Sequence, residues 1–182
     1  MSSGTILGPT PMTSDTDPTA ELDARYSEEG ATPATWQEAR QVLREAPTSW
    51  LTTIRPDGRP HVTPLLTVWE QEAPWFCTGA DERKGRNLAV NRQCVLTTGG
   101  NGLGDGLDVV VEGDAERVVD EERLRRVAEA YVEKYGHEWH FDVRDGVFVG
   151  PVGNRALVFR IAPTTVFGFR KGHYSQTRFR PR

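Results

Sequence analysis

Residues 75–98 constrain this chain more than any other stretch, because they set two β-prone runs, WFCTG and RQCVLTT, on either side of the short segment ADERKGRNLAVN. That segment reads as a turn into a short helix that opens on Arg83 and Lys84. The first backbone N–H groups of a helix have no intrahelical partner, so a guanidinium and an ammonium beside them form a site for a phosphate or another doubly charged anion. Taken alone, the pair is explained equally well as solvated surface charge. The flanking sequence has to decide between the two.

At 182 residues, the chain has the length of one domain that buries its own core without a disulfide or metal staple. Lys and Arg number 22 against 26 Asp and Glu, a formal net charge of -4. This excludes the dominant basic face of a general nucleic-acid binder and leaves room for a local cationic pocket. Cys77 and Cys94 each lie in an apolar run at a spacing that fits no C-x-x-C or zinc pattern, and read as buried reduced thiols. MSSGTILGPTPMTSDTDPT has neither a basic region nor a long apolar one, and no later run reaches membrane-spanning length. The expectation is a cytoplasmic protein with no membrane partner.

Residues 1–30 are rich in Ser, Thr, Pro, Asp and Gly and poor in large apolar groups, so they are expected to form a disordered or loosely attached tail ahead of a domain spanning 31–182. Thr32 before Pro33, or Thr35 three residues ahead of Glu38, opens a helix with the apolar stripe Trp36, Ala39, Leu43 and Ala46, and Pro47 stops it. The run SWLTTIR and the run from His61 to Glu70 flank Pro56, Asp57 and Gly58, whose turn chemistry predicts a hairpin. Pro64 in the return strand has no N–H for a ladder and marks an edge or a bulge, where a ligand gains access.

GGNGLGDG, residues 99–106, matches neither G-x-G-x-x-G nor a Walker pattern and reads as a mobile loop, with a lid as the alternative. Residues 107–119 form a long strand in which Gly113 marks a bulge or corner. Asp120 caps a helix whose Leu124, Val127, Ala128, Tyr131, Val132 and Tyr135 share a face, and Gly136 ends it. Glu133, His137 and His140 match no metal-binding helix pattern, and no metal is expected there. ALVFRI and TVFGF read as closing strands. The remaining residues carry Arg170, Lys171, Arg178, Arg180 and Arg182, as a solvated tail or as an anion-facing arm. These elements amount to about six strands and three helices joined mostly by short connections. Without alternating βαβ units the strands are antiparallel, and the expected architecture is mainly β, a closed or half-closed barrel with helices packed outside.

DGRPHVTPLL at 57–66, FCTGADERKGRNLAVN at 76–91 and GFRKGHYSQTRF at 168–179 resemble the pyridoxamine-phosphate-oxidase-like family of split β-barrels. The resemblance implies a flavin-type cofactor gripped by its phosphate through a strand Thr and an Arg-Lys pair at a helix start, here Thr78, Arg83 and Lys84. It implies that the ring lies along Val62, Thr63, Pro64 and Leu65, with Asn87, Gln176 and Arg178 among the cofactor contacts. It further implies a homodimer with the cofactor at the subunit interface. Three positions depart from the family pattern. The late Arg-x-His of members that oxidise pyridoxamine phosphate is replaced by Lys171-Gly172-His173, the Ser before the Arg-Lys pair is Glu82, and a flavin-phosphate Arg on the hairpin strand is Thr63. These departures imply another activity. SQTRF, the compact hairpin and Pro64 are similar to the actinobacterial branch of flavin and deazaflavin oxidoreductases, which implies FMN or coenzyme F-420.

The expected function is an oxidoreductase that moves a hydride between such a cofactor and a small conjugated organic substrate. No side chain stands out as the catalytic acid or base; Tyr174 and His61 are candidates for proton delivery that packing or substrate contact explains as well. The alternative, of a different class, is a non-catalytic protein that binds and sequesters flavin, deazaflavin or haem. In the haem case His61, His137, His140 or His173 would be the axial ligand.

Overall fold

The computed structural model describes residues 17–180. In chain order the elements are β1 (Thr19–Leu22), α1 (Trp36–Glu45), β2 (Ser49–Ile54), β3 (Pro60–Leu65), β4 (Val68–Glu70), β5 (Ala73–Thr78) and α2 (Arg83–Val90). They continue as β6 (Gln93–Thr98), β7 (Leu107–Val118), α3 (Glu121–Tyr135), β8 (Asp142–Arg144), β9 (Val147–Val149), β10 (Arg155–Arg170) and β11 (Ser175–Arg180). The helices start where side chains satisfy orphan N–H groups. Thr35 and Glu38 cap α1 reciprocally, with the Glu38 N–H donating to Thr35 Oγ1 at 3.2 Å and the Thr35 N–H donating to Glu38 Oε2 at 2.7 Å. Asp120 caps α3 by accepting from the Arg123 N–H at 2.8 Å, and Gly136 ends it at φ 92°.

The described residues form eleven strands in place of about six, in the order β1-β11-β10-β7-β6-β2-β3, with β4 and β5 on one side of β10 and β8 and β9 attached to it. Every pairing is antiparallel. ALVFRI and TVFGF merge into one strand because the extra residue near Thr164 is absorbed as a register shift between Pro163 and Thr165. The irregularity expected at Gly113 thus sits in the facing strand. Gly113 is required there all the same, since a Cβ would lie 2.3 Å from the Ala162 carbonyl oxygen.

Residues 17–30 and 175–180 are more ordered than their composition suggests. The expected solvated tail or arm at the C-terminus is β11, an internal strand between β1 and β10 that buries Ser175, Thr177 and Phe179. The disordered tail expected through residue 30 is corrected for 17–30: β1 pairs with β11, and Ser27 Oγ donates to the Asp23 carbonyl at 2.8 Å and accepts the Gln176 N–H at 3.1 Å. The ordering comes from backbone groups offered by a distant strand, which composition does not encode. Residues 1–16 and Arg182 lie outside the described residues.

The barrel interior is filled by Leu51, Phe76, Leu96, Val111, Phe159 and Ile161, with α1 closing one end through Trp36, Ala39 and Leu43. A second core lies between α3 and the outer side of β5 and β10, built on Trp75, Val127, Tyr131, Phe148 and Val158. β5 is therefore apolar on both faces, and each of its buried aromatic rings contributes about 1.5–3 kcal/mol. Cys77 and Cys94 are free, and burial pushes their thiols up to about 11 and about 12.

The hairpin that matters for the site turns through Gly58 at φ 80° and leaves β3 as an edge strand among the described residues, so the missing N–H of Pro64 costs little. The expected single run from His61 to Glu70 breaks at Leu66 and Thr67. Tyr131 Oη donates to the Leu66 carbonyl at 3.2 Å, while Tyr135 Oη and Lys134 Nζ each donate to the Thr67 carbonyl at 2.8 Å, drawing the chain from β2 toward α3. No helix among the described residues is long and apolar enough to cross a membrane.

Candidate cofactor site

β5 leads into α2 through a turn locked by Glu82. The Gly79 N–H donates to Glu82 Oε1 at 2.8 Å, and the Glu82 N–H donates to the Gly79 carbonyl at 3.2 Å. Gly85 lets the helix lie against this turn, because a Cβ there would meet the Gly79 oxygen at 2.4 Å. Arg83 and Lys84 consequently occupy the first two positions of α2. Lys84 is mostly buried and ion-paired with Glu82; Arg83 is exposed and makes no ion pair with a described residue. Burial works to raise the Glu82 carboxyl, but the Lys84 ammonium and the Gly79 N–H outweigh it and hold the group below its ordinary range. Thr78 is buried, and its hydroxyl donates to the Gly79 carbonyl at 3.3 Å.

α2 docks on the hairpin through Asn87, which is 1% exposed and whose Nδ2 donates to Thr53 Oγ1 at 2.9 Å. Thr53 pairs with His61 and Leu51 with Thr63, so His61, Thr63 and Leu65 share the face that α2 and the core cover. Val62 and Pro64 point to the opposite, exposed face. The pleat thus splits the four residues expected to lie together along a ring.

On the α2 side of the hairpin, Arg55 Nε, His61 Nδ1, Thr63 Oγ1 and Asn87 Oδ1 are buried without a hydrogen-bond partner. Such groups are costly unless something satisfies them. His61 is held below its ordinary pKa by desolvation first, then by the charges of Arg55, Arg83 and Lys84. Arg55 at the end of β2 and Arg83 and Lys84 at the start of α2 thus act on this imidazole in the same direction. Arg55 escaped the sequence reading although strand alternation was a usable signal, since it follows Thr53 by two residues.

Gln176 and Arg178 stand apart. The ladder runs Pro64, Trp50, Thr97, Val110, Phe167, Arg178 across six strands, which puts Arg178 on the same outward face as Pro64 but about 24 Å along the sheet at about 4.8 Å per strand. The Arg178 guanidinium lies over the Phe167 ring, 5.4 Å from its centroid. One chain therefore docks α2, which carries Arg83, Lys84 and Asn87, on β2, has Thr78 at the end of the strand that leads into it, keeps Thr63 and Leu65 partly buried on one face of β3, and turns Val62, Pro64, Gln176 and Arg178 outward. The main clefts of the single chain lie along α1, along α3 and beside the turn between β10 and β11, and none is lined by these ten residues. Tyr174 sits in that turn, and His137 and His140 follow α3.

Fold and site together define a split antiparallel barrel that presents a cationic helix start to the edge of a hairpin. A family model described as Pyridoxamine 5'-phosphate oxidase matches residues 35–170, and the chain belongs to that family. Its fold is similar to that of the conserved hypothetical protein Rv2991 from Mycobacterium tuberculosis (23% identity, TM-score 0.64, covering 79% of this chain and 89% of that one). It is also similar to a heme binding protein from Mycobacterium smegmatis (18%, TM-score 0.64, 81% and 58%). An FAD binding protein from Mycobacterium smegmatis shares the fold as well (19%, TM-score 0.54, 81% and 98%). A comparison with curated proteins found no significant match.

Proposed function

We propose that this protein is an oxidoreductase that binds a phosphorylated flavin or deazaflavin, FMN or F-420, and passes a hydride between it and a small conjugated organic substrate. The observation that carries this reading is the helix start bearing Arg83 and Lys84, docked through Asn87 on a hairpin where Arg55 Nε, His61 Nδ1 and Thr63 Oγ1 are buried without partners. This donor set fits the phosphate end of such a cofactor. Family membership and the fold shared with the FAD binding protein support a flavin-type ligand. Once bound, the cofactor supplies the two-electron chemistry.

The chain supplies binding and orientation. Arg83 and Lys84 hold the phosphate through charge-assisted bonds of about 1.5–3 kcal/mol each, toward the low end because Arg83 is exposed and Glu82 competes for Lys84. Thr78 contributes a hydroxyl beside them, and Thr63 offers another from the hairpin. We further propose a homodimer through the outward sheet face, which would bring the arm bearing Gln176 and Arg178 of one copy toward β3 of the other.

An Arg83→Ala, Lys84→Ala double variant is expected to fold and to lose cofactor affinity by about tenfold or more, equivalent to about 1.4 kcal/mol. Equal affinity of the two proteins in calorimetry overturns the reading. Cofactor sequestration without catalysis is the second reading, motivated by the fold shared with the heme binding protein. Protein loaded with reduced cofactor separates the two in single-turnover reduction of a substrate panel, since a carrier gives no acceleration over free cofactor.

A further inference from the structure

The phosphate reading uses Arg83 and Lys84 but leaves unexplained a histidine placed among cations with a buried ring nitrogen that bonds to nothing. We propose that His61 is the conditional fourth cation of the site: its unpartnered ring nitrogen takes up a proton from solvent when a dianionic phosphate monoester docks beside Arg55, Arg83 and Lys84. This rests on the reading of the site as a phosphate cradle.

The geometry sets up the coupling. The Thr53–His61 pairing and the Asn87 bond to Thr53 set His61 next to the strand on which α2 docks; Arg83 and Lys84 open that helix, Arg55 follows the end of β2, and Glu82 is ion-paired with Lys84. The neighbours of His61, Thr53 and Thr63 on the hairpin and Asn87 on α2, are uncharged. A neutral imidazole has one N–H donor and one acceptor, whereas an imidazolium has two donors. In the free protein, partial burial and three positive charges act together against the second proton, and the ring sits below its ordinary 6.5. A bound dianion reverses the sign of the local field and accepts the additional donor. Binding therefore takes up a proton in the window between the free and bound pKa values of His61, and affinity falls as pH rises through that window. The cradle is strongest for a group with two negative charges, because a monoanion offsets less of the repulsion from the three fixed cations.

Sulfate tests this on the full chain, since it keeps both charges across the range in which histidine titrates. The His61 imidazole is followed by NMR with and without saturating sulfate, its signal identified by disappearance in His61→Gln. The expected result is a pKa raised by about one unit or more with sulfate, together with an affinity about tenfold weaker well above the window than well below it. In His61→Gln the affinity should vary little with pH. Sulfate that binds through Arg83 and Lys84 while His61 titrates unchanged overturns this proposal and leaves the phosphate cradle standing. Sulfate that fails to bind, or binds the Arg83→Ala, Lys84→Ala variant as well as wild type, removes the cradle and this proposal with it.

Discussion

Glu82 sets the charge of the anion site by holding Lys84 on one side and the Gly79 N–H on the other. Replacing it with Ser supplies a side chain able to cap α2, which Glu82 does not do, and frees the ammonium. Glu82→Ser is therefore expected to raise affinity for a phosphate-ended ligand several-fold at low salt and less at high salt, measured by titration at two ionic strengths. The pH behaviour has a defined sign. Glu38, in the capping box and ion-paired with Arg170 at 2.9 Å, is lowered below its ordinary 4.5, because the Thr35 N–H and Arg170 outweigh burial. A depressed carboxyl contributes stability that is present above the unfolded pKa and lost as pH falls through the folded one. Acid unfolding of Glu38→Gln should accordingly lose part of its steepness below about pH 4.5, visible in urea midpoints taken across that range. At this scale Arg83 and Lys84 were legible because the helix start is written in local chemistry. Arg55 was not, since its meaning depends on a helix packing over a strand from which it is remote in sequence.

The elements show the same division between local and distant causes. Both long helices begin and end at their caps, and the hairpin turns at Pro56-Asp57-Gly58 as its residues dictate. β1 and β11 were missed because their order depends on each other and on β10. Alternation in Ser175, Thr177 and Phe179 carried a signal, but it was masked by the polar Gln176 and the cationic Arg178 between them. Thr177 is the link that ties this late strand to the front of α1: its Oγ1 accepts the buried Ala34 N–H at 2.8 Å. Thr177→Val keeps the shape and removes that acceptor, leaving a buried donor unpaired. The expected cost is about 1–3 kcal/mol in urea unfolding, with the Thr177→Ser variant close to wild type. Equal stability of the Val and Thr proteins would mean that the strand is held by its ladder alone.

Across the whole molecule, the outward sheet face poses a problem that one chain does not solve. Trp50 is 51% and Val62 54% exposed, and they share this face with Pro64, Val110 and Phe167 along registered ladders. Exposed large apolar side chains grouped on one sheet face are the kind of surface at which another molecule docks. The same face carries Val62 and Pro64 at one edge and Gln176 and Arg178 near the other, so residues implied in one cofactor site are held apart by the intervening strands. The proposed symmetric pairing of two copies through this face would cover the apolar residues and set unlike edges against each other, answering both observations with one contact. Trp50→Glu places a charge in the middle of that contact without touching Arg83, Lys84 or the core. It is expected to yield a folded monomer by size-exclusion chromatography with light scattering and to weaken cofactor binding by about tenfold or more. A wild-type protein that is already monomeric defeats the pairing. A Trp50→Glu monomer that binds cofactor as tightly as wild type defeats a shared site, and would leave the cradle of α2 and the hairpin edge sufficient within a single chain.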